Sequence, residues 1–282
     1  MAMRDILLQI DSYPEATPTA AIEQAVKFAA AVGGALSALA VEADIRNPSN
    51  RLADYFIGLS GLVVEEEQKS RRACQTALEL FSSKARDAGV LGEALQGKAD
   101  LYCIGEYVAQ RARTRDLCIV PVSDFLDGQR SVAEAVVFGS GRPVLLFRPG
   151  VADLLSRGLS VMVLAWDGGR SAARAMADAL PAMRKAREVR VLTVVNEKPD
   201  ARSGLGGDAV RHLKAHGVNA VVDEVDAAGR RIGQVLEDYT SECGSDLLVM
   251  GAYGHSRLRE FVLGGATEHM MHDPKVPLLL SH

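Results

Sequence analysis

Met162-Val-Leu-Ala-Trp-Asp167 is an apolar run ending in aspartate, followed by a glycine turn and an alanine-rich segment over 170–185. Ile6-Leu-Leu-Gln-Ile-Asp11 has the same form and opens the first half of the chain in the same way. Two later pairs also answer each other. Asp116-Leu-Cys-Ile-Val-Pro121 matches Asp246-Leu-Leu-Val-Met-Gly251, and Arg142-Pro-Val-Leu-Leu-Phe147 matches Val276-Pro-Leu-Leu-Leu280. The same short units recurring in the same order mark an internal duplication.

Working outward from these runs, the second half predicts strands at 159–166, 188–195, 220–225, 246–250 and 277–280. Helices are predicted at 170–185, 208–216, 229–243 and 267–272. The first half predicts strands at 4–10, 35–41, 92–96, 117–120 and 144–147, with helices at 17–32, 64–88, 100–113 and 131–137. The strand at 92–96 is the least patterned of these. Strands apolar on both faces alternating with helices require a parallel sheet covered on both sides. The expected fold is therefore α/β: two tandem open doubly wound domains, Rossmann-like, each with a five-stranded parallel sheet. The domains are placed at 1–150 and 158–282, joined by a linker, with an insertion near 44–61 that contains Asn47-Pro-Ser-Asn50, Tyr55 and Phe56. A length of 282 residues accommodates two such cores.

Composition narrows the function classes. Hydrophobic residues make up 48% and charged residues 24%, a globular balance that excludes a disordered chain. The net charge of −4, with basic and acidic residues spread over both halves, gives no electrostatic footprint for a nucleic acid. The longest nearly apolar stretch, 28–41, is interrupted by Gly33 and Gly34 and is too short to span a bilayer, so no membrane association is expected. The start of the chain lacks the pattern of a secretory signal, and a cytoplasmic location is expected. Cys74, Cys103, Cys118 and Cys243 form no Cys-x-x-Cys pair, which predicts reduced and mostly buried thiols.

In open α/β sheets, ligands bind beyond the carboxyl ends of the strands where strand order reverses, and Asp11 and Asp167 stand at such ends. The sharpest chemical signal is the run from Gly251 to Thr267, which starts where the fourth strand of the second half ends. Gly251 and Gly254 let the chain turn close to a ligand, and Gly264 and Gly265 open the next helix with unpaired backbone N–H groups. Phosphate oxygens can accept from these amides, from that of Ala266, and from the hydroxyls of Ser256 and Thr267. No Gly-Lys-Ser/Thr ending is present, so this is not an ordinary P-loop. Asp167 would accept from an adenine amino group or a ribose hydroxyl, and backbone near Val194 and Val195 would line the base. Mg²⁺ would be held through phosphate oxygens and water only.

With these residues in place, the chain resembles the universal stress protein family, in its tandem-domain form. The second half carries the family's spacing: Gly251, two residues, Gly254, nine residues, Gly264. Gly265 stands where a small hydroxyl residue is usual, Thr267 matches the second hydroxyl position, and Asp167 matches the strand-one aspartate. In the first half Asp11 matches, but Pro121-Val-Ser-Asp124 and Phe138-Gly-Ser-Gly141 do not reproduce the glycine spacing. The resemblance implies an adenine nucleotide alpha hydrolase-like fold, domains paired into a dimer-like unit, and a stress-associated role. It also implies ATP or AMP bound by the second domain, with the first domain non-binding.

The remaining polar residues carry less. His255 follows Gly254 and could approach a phosphate, but no Gly-x-Ser-x-Gly elbow accompanies Ser256, so no hydrolytic triad is read and any ATP hydrolysis is expected to be slow. His269, His272 and His282 lack the partners of a metal site. Trp166 faces opposite to Asp167 and is read as packing. A nucleotide-independent protein-interaction or scaffold module is the alternative reading, drawn from the degraded first-half motif, Gly265 and the aromatic insertion as a protein contact; a homodimer is compatible with either reading.

Overall fold

The computed structural model describes residues 3–45, 59–122, 127–150, 158–196, 204–252 and 265–282. The first unit runs β1 (Asp5–Ile10), α1 (Thr19–Val32), β2 (Ala35–Asp44), α2 (Leu59–Asp87), β3 (Leu91–Asp100), α3 (Ile104–Ala112), β4 (Leu117–Pro121), α4 (Asp127–Gly139) and β5 (Val144–Phe147). The second runs β6 (Val161–Ala165), α5 (Arg170–Met183), β7 (Glu188–Val195), α6 (Gly206–Ala215), β8 (Ala220–Asp226), α7 (Ile232–Glu242), β9 (Leu247–Gly251), α8 (Gly265–His272) and β10 (Leu278–Ser281).

The strands form one sheet in the order β3-β2-β1-β4-β5-β10-β9-β6-β7-β8. The expected pair of five-stranded sheets is thus a single ten-stranded sheet, parallel within each half and antiparallel only where β5 meets β10. Each half would otherwise end in an apolar edge strand with unsatisfied backbone groups, and pairing the two edges removes both. Equivalent registers relate the halves: Ile6 pairs with Leu117 as Met162 pairs with Leu247.

Alternating strand residues feed two cores. On one face Ile6, Leu8 and Ile10 pack under α1 and α2, and Met162 and Leu164 under α5 and α6. On the other face Leu7 and Val163 pack under α3, α4, α7 and α8. The long helix α2 buries the stripe Cys74, Ala77, Leu78, Phe81 and Ala85, which follows helical spacing. Burial pushes the Cys118 thiol up to about 12 and also raises Cys74, so both behave as apolar filler. Cys103, against expectation, is exposed.

Several boundaries differ from the sequence reading. The poorly patterned third strand is ten residues long and lies at the sheet edge, where exposure on both sides erases its alternation. β2 continues to Asp44 and α2 begins at Leu59, which leaves 46–58 of the expected insertion outside the described residues. α7 starts at Ile232 rather than 229 because Arg231 is extended and its backbone N–H donates to the Gln234 side chain at 3.2 Å, closing the helix there. Among the described residues no helix is long and apolar enough to cross a membrane.

Candidate functional site

In the second unit the strand order reverses between β6 and β9, and the tips of these strands carry Asp167 and Gly251. Asp167 is exposed, and its Oδ1 accepts the Gly169 N–H at 2.7 Å. The turn depends on its glycines. Gly168 has φ +75°, and a Cβ on Gly169 would lie 2.8 Å from Asp167 Oδ1. α5 begins at once, so its first turn lies on the tip of β9. A Cβ on Gly251 would meet Ala172 N and the Ser171 carbonyl carbon, each at 2.5 Å. Helix packing against fixed backbone therefore demands this glycine, quite apart from any ligand.

Val194 and Val195 are half-buried at the tip of β7. Trp166 packs against the opposite face of the sheet from the one Asp167 continues, and its indole N–H donates to the Leu205 carbonyl at 3.1 Å. At the start of α8, Gly265 is exposed, Ala266 half-buried and Thr267 buried at 3% exposure. Gly254, His255, Ser256 and Gly264 lie outside the described residues. The described residues thus place Asp167 and Gly251 together, with Val194 on the neighbouring strand.

Two of the three histidines considered for a metal are held by local packing, and His272 is exposed. His269 Nε2 lies 2.8 Å from Glu237 Oε2, and its ring sits over Gly233, where a Cβ would be 2.6 Å from the His269 Cβ. His282 Nδ1 lies 3.1 Å from the Ala252 carbonyl, and its ring meets Phe138 edge-on. Among the described residues no His, Cys, Asp and Glu side chains gather as a metal site.

The equivalent end of the first unit is filled by its own side chains. Asp11 accepts from Gln9 Nε2 at 2.5 Å and from Gln129 Nε2 at 2.7 Å, while its backbone N–H donates to Thr17 Oγ1 at 2.7 Å. Burial pushes the Asp11 carboxyl up to about 6, although both amide donors act to lower it. Ser12 Oγ donates to the Val41 carbonyl at 2.6 Å and lies 2.7 Å from Ser70 Oγ. By strand register, Gln9 stands where the second unit has Ala165, Ser12 where it has Gly168, and Val41 where it has Val194. The sequence reading missed Gln9, Ser12 and Gln129. The signal for the first was present, a glutamine inside an otherwise apolar strand.

Two tandem α/β units of matching strand order, each with an aspartate at the tip of its first strand, define the class of protein. Residues 160–282 match the model of the universal stress protein family, and the second unit belongs to that family. A universal stress protein from Synechocystis is 32% identical over 84 residues, which cover 30% of this chain and 28% of that protein. The match therefore spans less than a third of that relative. For the fold, the crystal structure of a universal stress protein from Archaeoglobus fulgidus DSM 4304 superposes with a TM-score of 0.68 at 16% identity, covering 98% of this chain and 95% of the other. A functionally unknown protein from Pseudomonas aeruginosa PAO1 gives a TM-score of 0.52 at 16% identity, with 99% and 93% covered.

Proposed function

We propose that the second unit binds an adenine nucleotide, ATP or AMP, at the reversal point between β6 and β9, and that the protein acts as a cytoplasmic stress-response regulator rather than a strong catalyst. Membership of the second unit in the universal stress protein family supports the stress role. The observation that carries the nucleotide reading is the contrast in side-chain volume at matched positions. Ala165 and Gly168 carry smaller side chains at the register positions that Gln9 and Ser12 hold in the first unit.

The residues suit such a ligand. An exposed carboxylate at the strand tip accepts from an amino or hydroxyl group of the base and sugar, and the first amides of α8 offer donors to phosphate oxygens. Bound nucleotide would supply the anionic charge, with Mg²⁺ held by its phosphates and water. Any turnover is expected to be slow, because the sequence carries no Gly-x-Ser-x-Gly elbow around Ser256. A change in domain packing or in the choice of a protein partner would be the output.

The test transplants the plug. Wild-type protein titrated with ATP and AMP by calorimetry should bind with about 1:1 stoichiometry, and Ala165→Gln should lose binding by about 100-fold or more through overpacking of the floor. Equal affinity in wild type and a folded variant would place the ligand elsewhere. No binding to wild type would favour the nucleotide-independent interaction module.

A further inference from the structure

Helix α8 is flanked by arginines of the other unit. Near its start, Arg130 Nη2 of α4 lies 3.8 Å from Glu268 Oε1, and beyond its end Arg148, just after β5, pairs with Asp273. Arg130 is largely buried, and its Nε also donates to Glu134 Oε1 of its own helix at 3.0 Å. Aligning the halves on Pro143-Val144 and Pro277-Leu278, which open their last strands, makes Glu134 and Glu268 equivalent and matches Arg130 with Gly264 in sequence. One guanidinium therefore lies between two matched carboxylates across the seam between the units.

Glu268 belongs to the first turn of α8. A carboxylate there is a resident anion, drawn by the same partial positive charge that would receive a phosphate. A second anion arriving at that turn is repelled unless the first is neutralised. We propose that Arg130 of the first unit is a positioning residue for the second unit's ligand: it screens Glu268 and so keeps the start of α8 receptive to phosphate. This inference rests on the nucleotide reading above and assigns the closed unit a part in binding.

Screening has a signature that packing lacks, because its effect grows with the charge of the ligand. Full-length wild type, Arg130→Met and Arg130→Met/Glu268→Gln are titrated with adenosine, AMP and ATP at low and high salt. Removing the arginine should weaken ATP by about tenfold, AMP by about twofold and adenosine not at all. High salt should shrink these differences. The double variant should return ATP affinity to near the wild-type value. If Arg130→Met fails to fold, Arg130→Lys and Arg130→Gln are compared, and only the lysine should keep ATP affinity. Equal losses for all three ligands, or no loss in a wild type that binds, would overturn the screening role alone. A wild type that takes up none of the three would overturn the nucleotide reading and this inference together.

Discussion

The two strand-tip regions share a backbone plan and differ in what fills it. Around Asp11 the first unit gathers Gln9, Gln129, Thr17 and, beside them, the Ser12–Ser70 pair, so the polar groups of the tip are largely satisfied from within. Around Asp167 the second unit has Ala165, Gly168 and Gly169, and the carboxylate is exposed. The same strand-tip acid is thus hydrogen-bonded by side chains in one unit and exposed in the other, because Gln9 of its own strand and Gln129 of α4 both reach Asp11. The helix following each aspartate also differs. α5 begins three residues beyond Asp167, whereas α1 begins eight beyond Asp11, after the loop ending at Pro18. The shorter turn sets α5 against Gly251, and the longer one accompanies Pro121 at the matched position.

The strongest way to break this comparison is at Gly251. Gly251→Ala pushes a Cβ into backbone atoms of α5 at 2.5 Å, and these cannot rotate away as a side chain could. The expected loss is about 3 kcal/mol of unfolding free energy, measured by urea denaturation. A loss below about 0.5 kcal/mol would mean that the second unit tolerates bulk at its tip as the first does.

Next in size is Asp11→Asn. A carboxyl whose folded pKa is raised to about 6 from 3.8 holds its proton more tightly folded than unfolded. Its contribution is fully present below about pH 4 and is lost as pH rises through about 6. The variant should match wild type near pH 4 and exceed it by about 2 kcal/mol at pH 8, where the wild type carries a half-buried charge. The new amide can also donate to Gln9 Oε1, which has no partner among the described residues. A difference between the two proteins that is flat from pH 4 to 8 would remove burial as the cause.

The smallest effect sharpens the open side. A Cβ on Gly265 meets no atom within 4 Å among the described residues, so Gly265→Ser should fold as wild type does. It restores the hydroxyl that the family spacing carries at this position. ATP affinity should rise by about threefold to tenfold, the worth of one ordinary net hydrogen bond of about 1 kcal/mol. Unchanged affinity would show that this residue does not reach the ligand.

Much of the fold was legible because its signals are local. The apolar runs around Leu7, Val163, Ile119 and Val249 fall within strands, and β5 and β7 have the bounds that pattern alone predicts. The merger into one sheet was not legible, since Leu145 and Leu279 pair across more than a hundred residues and an apolar edge strand does not name its partner. For the same reason Asp11 could be found but its state could not, because Gln129 arrives from a helix 118 positions away. Gly251 was found for a reason the geometry does not require. Glycine in a strand-to-helix turn answers equally to a ligand and to a packed helix, and sequence cannot tell which backbone approaches.

The antiparallel seam at β5 and β10 has one more consequence. Val144, Leu145, Leu146 and Phe147 are wholly buried against Leu278, Leu279 and Leu280, so cutting the chain between the units would uncover two greasy ribbons of matching shape. The covalent tie keeps each ribbon at a high local concentration of its intended mate and far from strangers. Fusion of the two copies therefore replaces a concentration-dependent encounter with an internal one, and frees one copy to drift in chemistry while still serving as the other's wall.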